Sequence, residues 1–283
     1  MDTVDSLLKT IGSSTPEEFE AILKQRPDLV RTPIGEYNEL PIHFAAWQDR
    51  DAIINVLLDA DADIDAHGDR GQTALHYASR FGCPAAASVL IARGANLNAL
   101  DDDSFSAAFL GVRGRENESV EIARMIVDAG AEVDLNLAVC LHEMERVEKL
   151  LAGDPHAIQN SRFPNDLVLD AVIAVESAVF DQLALDDYDD ATKHTVAIQA
   201  NDGILRRLLS RGAPIDAPDF GWSPLFQSCQ MKTPNITELL LEHGANPNVR
   251  YHNDDLSSVL MCSTCPEEML LVLNRHGFKP KEA

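Results

Sequence analysis

The sequence is poor in positive charge. Its 23 lysines and arginines stand against 46 aspartates and glutamates, a formal charge of −23 over 283 residues. Such a field repels phosphate backbones, so nucleic acid and anionic lipid are poor partners without a local basic patch, and the sequence contains none. Long apolar runs are also missing: no stretch reaches the eighteen or so residues that a membrane-crossing helix needs. With 45% apolar residues, the chain still has the composition of a folded core. Cysteine is scarce. Cys83, Cys140, Cys229, Cys262 and Cys265 are odd in number and mostly scattered, which is not a disulfide framework. The start, Met1-Asp2-Thr3-Val4-Asp5, has neither the basic nor the apolar region of a secretory signal. A reducing cytoplasm is the expected compartment.

Patterns that carry chemistry are lacking too. His142-Glu143 begins like a zinc-protease helix, yet Arg146 stands where the second histidine belongs, so two ligands cannot share one face. Cys262-Ser263-Thr264-Cys265 has the spacing of a redox or zinc pair, but no second pair or βαβ context accompanies it, and core thiols are expected. Asp101-Asp102-Asp103 and Asp186-Asp187-Tyr188-Asp189-Asp190 lack the alternating ligands, glycine and terminal glutamate of a calcium loop. There is no phosphate-cradling glycine loop and no Gly-x-Ser-x-Gly elbow. No enzyme, cofactor or metal is expected.

A repeat is present. Asp69-Arg70-Gly71-Gln72-Thr73-Ala74-Leu75-His76-Tyr77-Ala78-Ser79 leads through Val89-Leu90-Ile91 to Arg93-Gly94-Ala95-Asn96-Leu97-Asn98-Ala99. An upstream copy runs from Pro41-Ile42-His43-Phe44-Ala45-Ala46 through Val56-Leu57-Leu58 to Ala62-Asp63-Ile64-Asp65-Ala66. His43 to His76 and Ala62 to Ala95 are both 33 residues. A fixed period of that length signals a stacked solenoid. Thr73 suits a helix N-cap and Gly94 the left-handed residue that ends a second helix.

Thr73, Leu75, His76, Ala78, Leu90, Gly94, Ala95, Asn96 and Asn98 together resemble the ankyrin repeat. The resemblance implies an all-α ankyrin-repeat solenoid of about nine helix-turn-helix units with short loop hairpins and degenerate central repeats. It also implies that His43 and His76 are structural, bonding neighbouring loop backbone.

Residues 1–34 are expected to form an N-terminal cap, with Thr15-Pro16-Glu17-Glu18 as a helix start. Repeats follow over 35–135. The close recurs at Ala129-Gly130-Ala131, but Ala95 to Ala131 is 36 residues, and the extra three are placed within Gly111 to Asn117, between two helices. In 136–190 the signature fades. Ala138 and Leu150, and Ala171 and Leu183, keep the spacing of Ala78 and Leu90, so this stretch reads as degenerate repeats or, over Ser161 to Asp190, a helical insertion. Repeats resume over 191–250, with closes at Gly212-Ala213 and Gly244-Ala245. Residues 251–283 form the C-terminal cap.

Function then falls to the surface. The resemblance implies a non-enzymatic scaffold that binds a protein through a concave face of loop tips and first helices. Its variable positions map here to Trp47, Gln48, His67, Asp69, Arg70, Gln72, Arg80, Phe81, Phe220 and Trp222. Asp101, Asp102 and Asp103 join them as one of several loop acid clusters, with Asp61, Asp63, Asp65 and Asp69, Asp186 to Asp190, Asp216 and Asp219, and Asp254 and Asp255. Equivalent loops project along one edge, so these acids are expected to add to one negative strip that steers a basic partner. A monomer is expected. The alternatives are an inhibitor or immunity-type protein that neutralises one enzyme or toxin, and an effector whose catalytic element lies in Ser161 to Asp190.

Overall fold

A computed structural model of the chain describes residues 4–34, 39–113, 117–174, 203–216, 223–231, 233–248, 250–251, 254–255 and 267–279. It divides into two units, Met1–Val133 and Asp134–Ala283. Both contain helices packed in consecutive pairs.

The first unit opens with α1 (Val4–Ser13) and α2 (Pro16–Gln25). The expected start of α2 is a closed capping box: Glu18 N–H donates to Thr15 Oγ1 at 3.3 Å, and Thr15 N–H to Glu18 Oε2 at 3.0 Å. A 3-10 turn at Pro27–Arg31 leads to α3 (Pro41–Trp47) and α4 (Asp51–Asp59). Then come α5 (Ala74–Arg80) and α6 (Pro84–Ala92), and α7 (Ala107–Val112) and α8 (Asn117–Asp128). The residues added in this last pair go mainly into the second helix: α8 has 12 residues where α6 has 9, about one turn more, while the links, 113–116 and 81–83, differ by one residue.

The pairs α3–α4 and α5–α6 are closed by the same two backbone devices, and α7–α8 shares the second. Between helices, Arg50 N–H donates to Ala45 O and Cys83 N–H to Ala78 O, both at 2.9 Å, with Asp49 and Gly82 at positive φ. After the second helix, Ala62 N–H reaches Leu57 O at 3.0 Å, Ala95 N–H reaches Leu90 O at 3.0 Å, and Ala131 N–H reaches Ile126 O at 3.2 Å. This closure needs a left-handed residue just before the alanine. Gly94 supplies it at φ 86°, whereas Asp61 adopts φ 61° with a side chain that pays the strain. Between the pairs lies the core, with Ile53, Leu57, Leu75, Leu90, Phe109, Ile122 and Ile126 all but fully buried.

The second unit contains α9 (Leu135–Cys140), α10 (Met144–Gly153), helical residues 167–174 (α11) and 203–210 (α12), α13 (Pro224–Gln230), α14 (Pro234–Glu242) and α15 (Glu267–Arg275). Its strand content among the described residues is one pair, β1 (Arg250–Tyr251) and β2 (Asp254–Asp255), antiparallel with Tyr251 opposite Asp254. The helix closure returns at Ala213 to Leu208, Ala245 to Leu240 and Phe278 to Leu273.

The faded middle keeps the packing with different residues. α12 lies against α10, since Arg207 pairs with Glu148 at 2.6 Å and Arg211 Nη1 donates to Leu151 O at 2.7 Å. In the first unit α6 meets α4 likewise, through Arg93 to Asp59 at 2.7 Å. The second helices of these pairs are therefore neighbours although a long stretch of chain separates them. Leu183 and the run Asp186 to Asp190 lie outside the described residues, as do Cys262 and Cys265.

Candidate protein-interaction surface

Two adjacent hairpins form the loop tips of the first unit. In the first, Arg70 (φ 53°) and Gly71 (φ 68°) turn the chain and Gly68 N–H donates to Gln72 O at 2.8 Å. In the second, Asp101 N–H donates to Phe105 O at 2.9 Å, while Asp101 Oδ1 accepts from Phe105 N–H at 2.8 Å and Asp103 N–H at 3.1 Å. They are joined by Asp102 N–H to Arg70 O at 2.9 Å and Gln72 Nε2 to Asp101 Oδ2 at 3.0 Å. Gly71 suits the turn by its positive φ, and a Cβ there would lie 2.6 Å from Asp102 Oδ1, so a larger residue would also displace that exposed carboxylate. Gln72 and Asp101 are thus buried as the bracket between hairpins. His67, Arg70, Asp102 and Asp103 are exposed and Asp69 is half-buried, with Arg70 3.7 Å from Asp103.

Beneath the tips, two histidines tie first helices to the next loop. His43 Nδ1 accepts from Leu40 N–H at 2.9 Å and Nε2 faces Ala66 O at 2.8 Å. His76 Nδ1 accepts from Thr73 N–H at 3.2 Å and faces Thr73 Oγ1 at 2.8 Å, while Nε2 faces Phe105 O at 3.1 Å. An acceptor at Nδ1 and a donor at Nε2 define the neutral ring. Burial is the main cause that holds both imidazoles below the ordinary histidine value. In α9 the corresponding tie is Asn136, whose Nδ2 donates to Phe163 O at 3.0 Å and whose Oδ1 accepts from Phe163 N–H at 3.2 Å.

These rings give a pH prediction. Histidines in the unfolded chain titrate near about 6.5. Because the folded values are lowered, the unfolded state binds more protons as pH falls below that point. The stabilisation is full above about 6.5 and is lost on acidification, by about 1.4 kcal/mol for each unit of depression per ring. In about 0.5 M salt, which screens carboxylate repulsion, the urea midpoint should fall between pH about 7 and about 5. An unchanged midpoint, with both imidazole NMR signals titrating freely, would contradict it.

On the first helices lies a row of aromatic rings. Trp47 is 5.3 Å edge-on from Phe44 and 5.9 Å from Phe81, and Tyr77 is 6.2 Å from Phe81 and 5.3 Å from His43. Trp47 and Phe81 remain 44% and 41% exposed, with Gln48 and Arg80 exposed beside them. The ends of α3 and α5 are fixed from behind. Cys83 Sγ donates to Trp47 O at 3.2 Å, and Asp49 Oδ1 accepts from Ala86 N–H at 2.8 Å in the first turn of α6. Burial pushes the Cys83 thiol up to about 11, as suits an inert core group. Phe44 and Tyr77 extend the patch beyond the residues singled out from sequence. Their signal was available, at three residues before Trp47 and four before Phe81.

Several loop acids are bound into a ladder. Asp63 Oδ1 accepts from Asp65 N–H at 3.1 Å, Asp65 Oδ1 from Asn96 N–H at 2.8 Å, Asn96 Oδ1 from Asn98 N–H at 3.0 Å, and Asn98 Oδ1 from Glu132 N–H at 2.8 Å. In the second unit Asp216 accepts from Asn246 N–H at 3.1 Å, Asn246 from Asn248 N–H at 2.9 Å, and Asn248 from Lys279 N–H at 2.9 Å. Asp65 and Asp216 thus fix the spacing of successive repeats. Phe220, Trp222 and Asp219 lie outside the described residues.

Among the described residues no group of three or more histidine, cysteine or acidic side chains could hold a metal ion, and no helix is long and apolar enough to cross a membrane. His142 is engaged with the carbonyl of Ala174, and Arg146 with Glu143.

The family model for ankyrin repeats (3 copies) matches residues 42–137, and that for the ankyrin repeat matches residues 220–252. The B-cell lymphoma 3 protein homolog of Mus musculus is 25% identical over 228 residues, covering 78% of this chain and 40% of that protein. The ankyrin repeat domain-containing protein SAT10 of Stachybotrys chartarum is 28% identical over 179 residues, 58% of this chain and 9% of the other. An ankyrin repeat-containing protein of Treponema pallidum is 32% identical over 84 residues, 29% of this chain and 28% of its own. The chain therefore spans between 9% and 40% of the length of these relatives. Repeats of this kind generally mediate protein–protein interaction, and their family is generally non-enzymatic.

Proposed function

We propose that this chain, which is an ankyrin repeat protein, acts as a non-enzymatic scaffold that captures a protein with a basic surface through the concave face of its repeats. The observation that carries the reading is the pairing of exposed Trp47 and Phe81 with exposed Asp102 and Asp103 in one unit. Large aromatics in a desolvated patch anchor interfaces, while charges at the rim govern encounter more than residence. Trp47, Gln48, His67, Asp69, Arg70 and Phe81 belong to that face in this reading. Gln72 and Asp101 support it from beneath, and Phe220 and Trp222 are its counterparts further along the sequence. The protein works as a cytoplasmic monomer.

The test is kinetic. Once a partner captured from native lysate is identified, its association should slow markedly as ionic strength rises from about 0.01 to about 0.15 M, where the screening length falls from roughly 30 to 8 Å. The double substitution Asp102→Asn and Asp103→Asn should lower the on-rate, sparing Asp101 because it holds the hairpins. Trp47→Ala should raise the off-rate. An association rate indifferent to salt and to the double substitution would remove the basic partner from this reading.

A further inference from the structure

The end of α5 carries a group that steering by acids leaves unused. Arg80 is exposed, with its guanidinium carbon 5.5 Å from the centroid of Phe81. Arg70, Arg93, Arg207 and Arg275 each meet a carboxylate, whereas none pairs with Arg80 among the described residues. In a chain of formal charge −23, an arginine held on an aromatic ring with no acid paired to it among the described residues is a cation kept available. A guanidinium lying on a ring face keeps its edge N–H groups free, and that planar fork matches a carboxylate by two parallel hydrogen bonds. The apolar half of the site adjoins it. The Trp47 and Phe81 rings are 5.9 Å apart and tilted at 56°, with Phe44 supporting Trp47 from the side.

We propose that Trp47, Phe81 and Arg80 form one recognition subsite for a partner segment in which a bulky apolar side chain stands next to an aspartate or glutamate. This rests on the scaffold reading and specifies what its first unit selects. The apolar side chain covers the Trp47–Phe81 pair and the neighbouring carboxylate takes the Arg80 fork, whose charge is less screened once water is excluded. Long-range charge acts in the opposite sense. A protein this acidic draws lysine and arginine towards it, so a preference for an acid beside the apolar residue has to come from a local cation.

Selection of phage-displayed random heptapeptides on the full chain tests this. The enriched peptides should carry Leu, Ile, Phe, Trp or Tyr beside Asp or Glu. On the Arg80→Glu protein the acidic position should turn to Lys or Arg while the apolar one persists, and on the Trp47→Ala protein the apolar enrichment should disappear. Arg80 is exposed and Trp47 lies at the edge of the core, so circular dichroism of both variants should match the parent, with melting unchanged for Arg80→Glu and lowered only modestly for Trp47→Ala. Peptides without an acid beside the apolar residue, an unchanged motif on Arg80→Glu, or no enrichment on the intact chain would each overturn the subsite. The scaffold reading fails on a different result, namely a chain that retains no protein partner at any salt concentration.

Discussion

Replacing Leu75 or Leu90 with alanine should each destabilise the first unit by about 2–5 kcal/mol, the usual range for truncating a buried leucine. Leu75 is 1% exposed on α5 and Leu90 fully buried on α6. The two helices form one repeat, packed by α3 and α4 on one side and α7 and α8 on the other. In a stacked array each repeat is stabilised by its neighbours, so a cavity here weakens two inter-repeat interfaces as well as the repeat itself. Leu90 has a second duty, because its carbonyl accepts the Ala95 N–H that closes the helix, but that bond is backbone and survives the substitution. The loss should therefore track cavity volume. Leu100, 45% exposed, is the control, and Leu100→Ala should stay within about 0.5 kcal/mol. Urea unfolding followed by circular dichroism measures all three. A loss below about 0.5 kcal/mol at both Leu75 and Leu90 would show that neither is core.

What the sequence revealed depended on whether one residue type could serve a structural need. A left-handed helix end is served best by glycine, so Gly94, Gly130, Gly212 and Gly244 marked repeat boundaries directly, and all four adopt positive φ. The tie from a first helix to the next loop can be made by different side chains. His43 and His76 were legible because they fit a known repeat, whereas Asn136 makes the same kind of tie with no such signature. Insertion length was visible but its place was not, since three added residues fit either a loop or one more turn of helix, and α8 took the turn. The acids were hardest. A run such as Asp101-Asp102-Asp103 shows charge but not orientation, and one carboxylate turns inward to Gln72 while the next two face solvent. Asp65 and Asp216 likewise read as loop charge until their backbone N–H partners in the next repeat are seen.

Gly111→Ala should destabilise the first unit, against the ordinary trend for a helical glycine. Inside a helix, alanine is favoured over glycine by about 0.8–1.0 kcal/mol, because glycine loses more backbone freedom on folding. Gly12, near the end of α1, has nothing within 4 Å of where its Cβ would stand, so Gly12→Ala should be neutral or stabilising by up to about that amount. Gly111 on α7 is different. Its Cβ would lie 2.5 Å from the carbonyl oxygen of Ser119, 2.6 Å from Ser79 Oγ and 3.2 Å from Ala123 Cβ. The serine hydroxyl of α5 could rotate away, but the Ser119 carbonyl is part of α8 and cannot move without shifting that helix. Ser79 and Ser119 are both fully buried, so there is no solvent gap to absorb the methyl group. Overpacking of this kind typically costs about 1–3 kcal/mol, occasionally more, which exceeds the propensity gain. Ser79→Ala should not rescue the variant, because the carbonyl clash remains. Parallel urea titrations of Gly12→Ala, Gly111→Ala and the Gly111→Ala, Ser79→Ala double variant decide the matter: shifts of the same stabilising sign at both glycines would mean that α7 and α8 are not packed this closely.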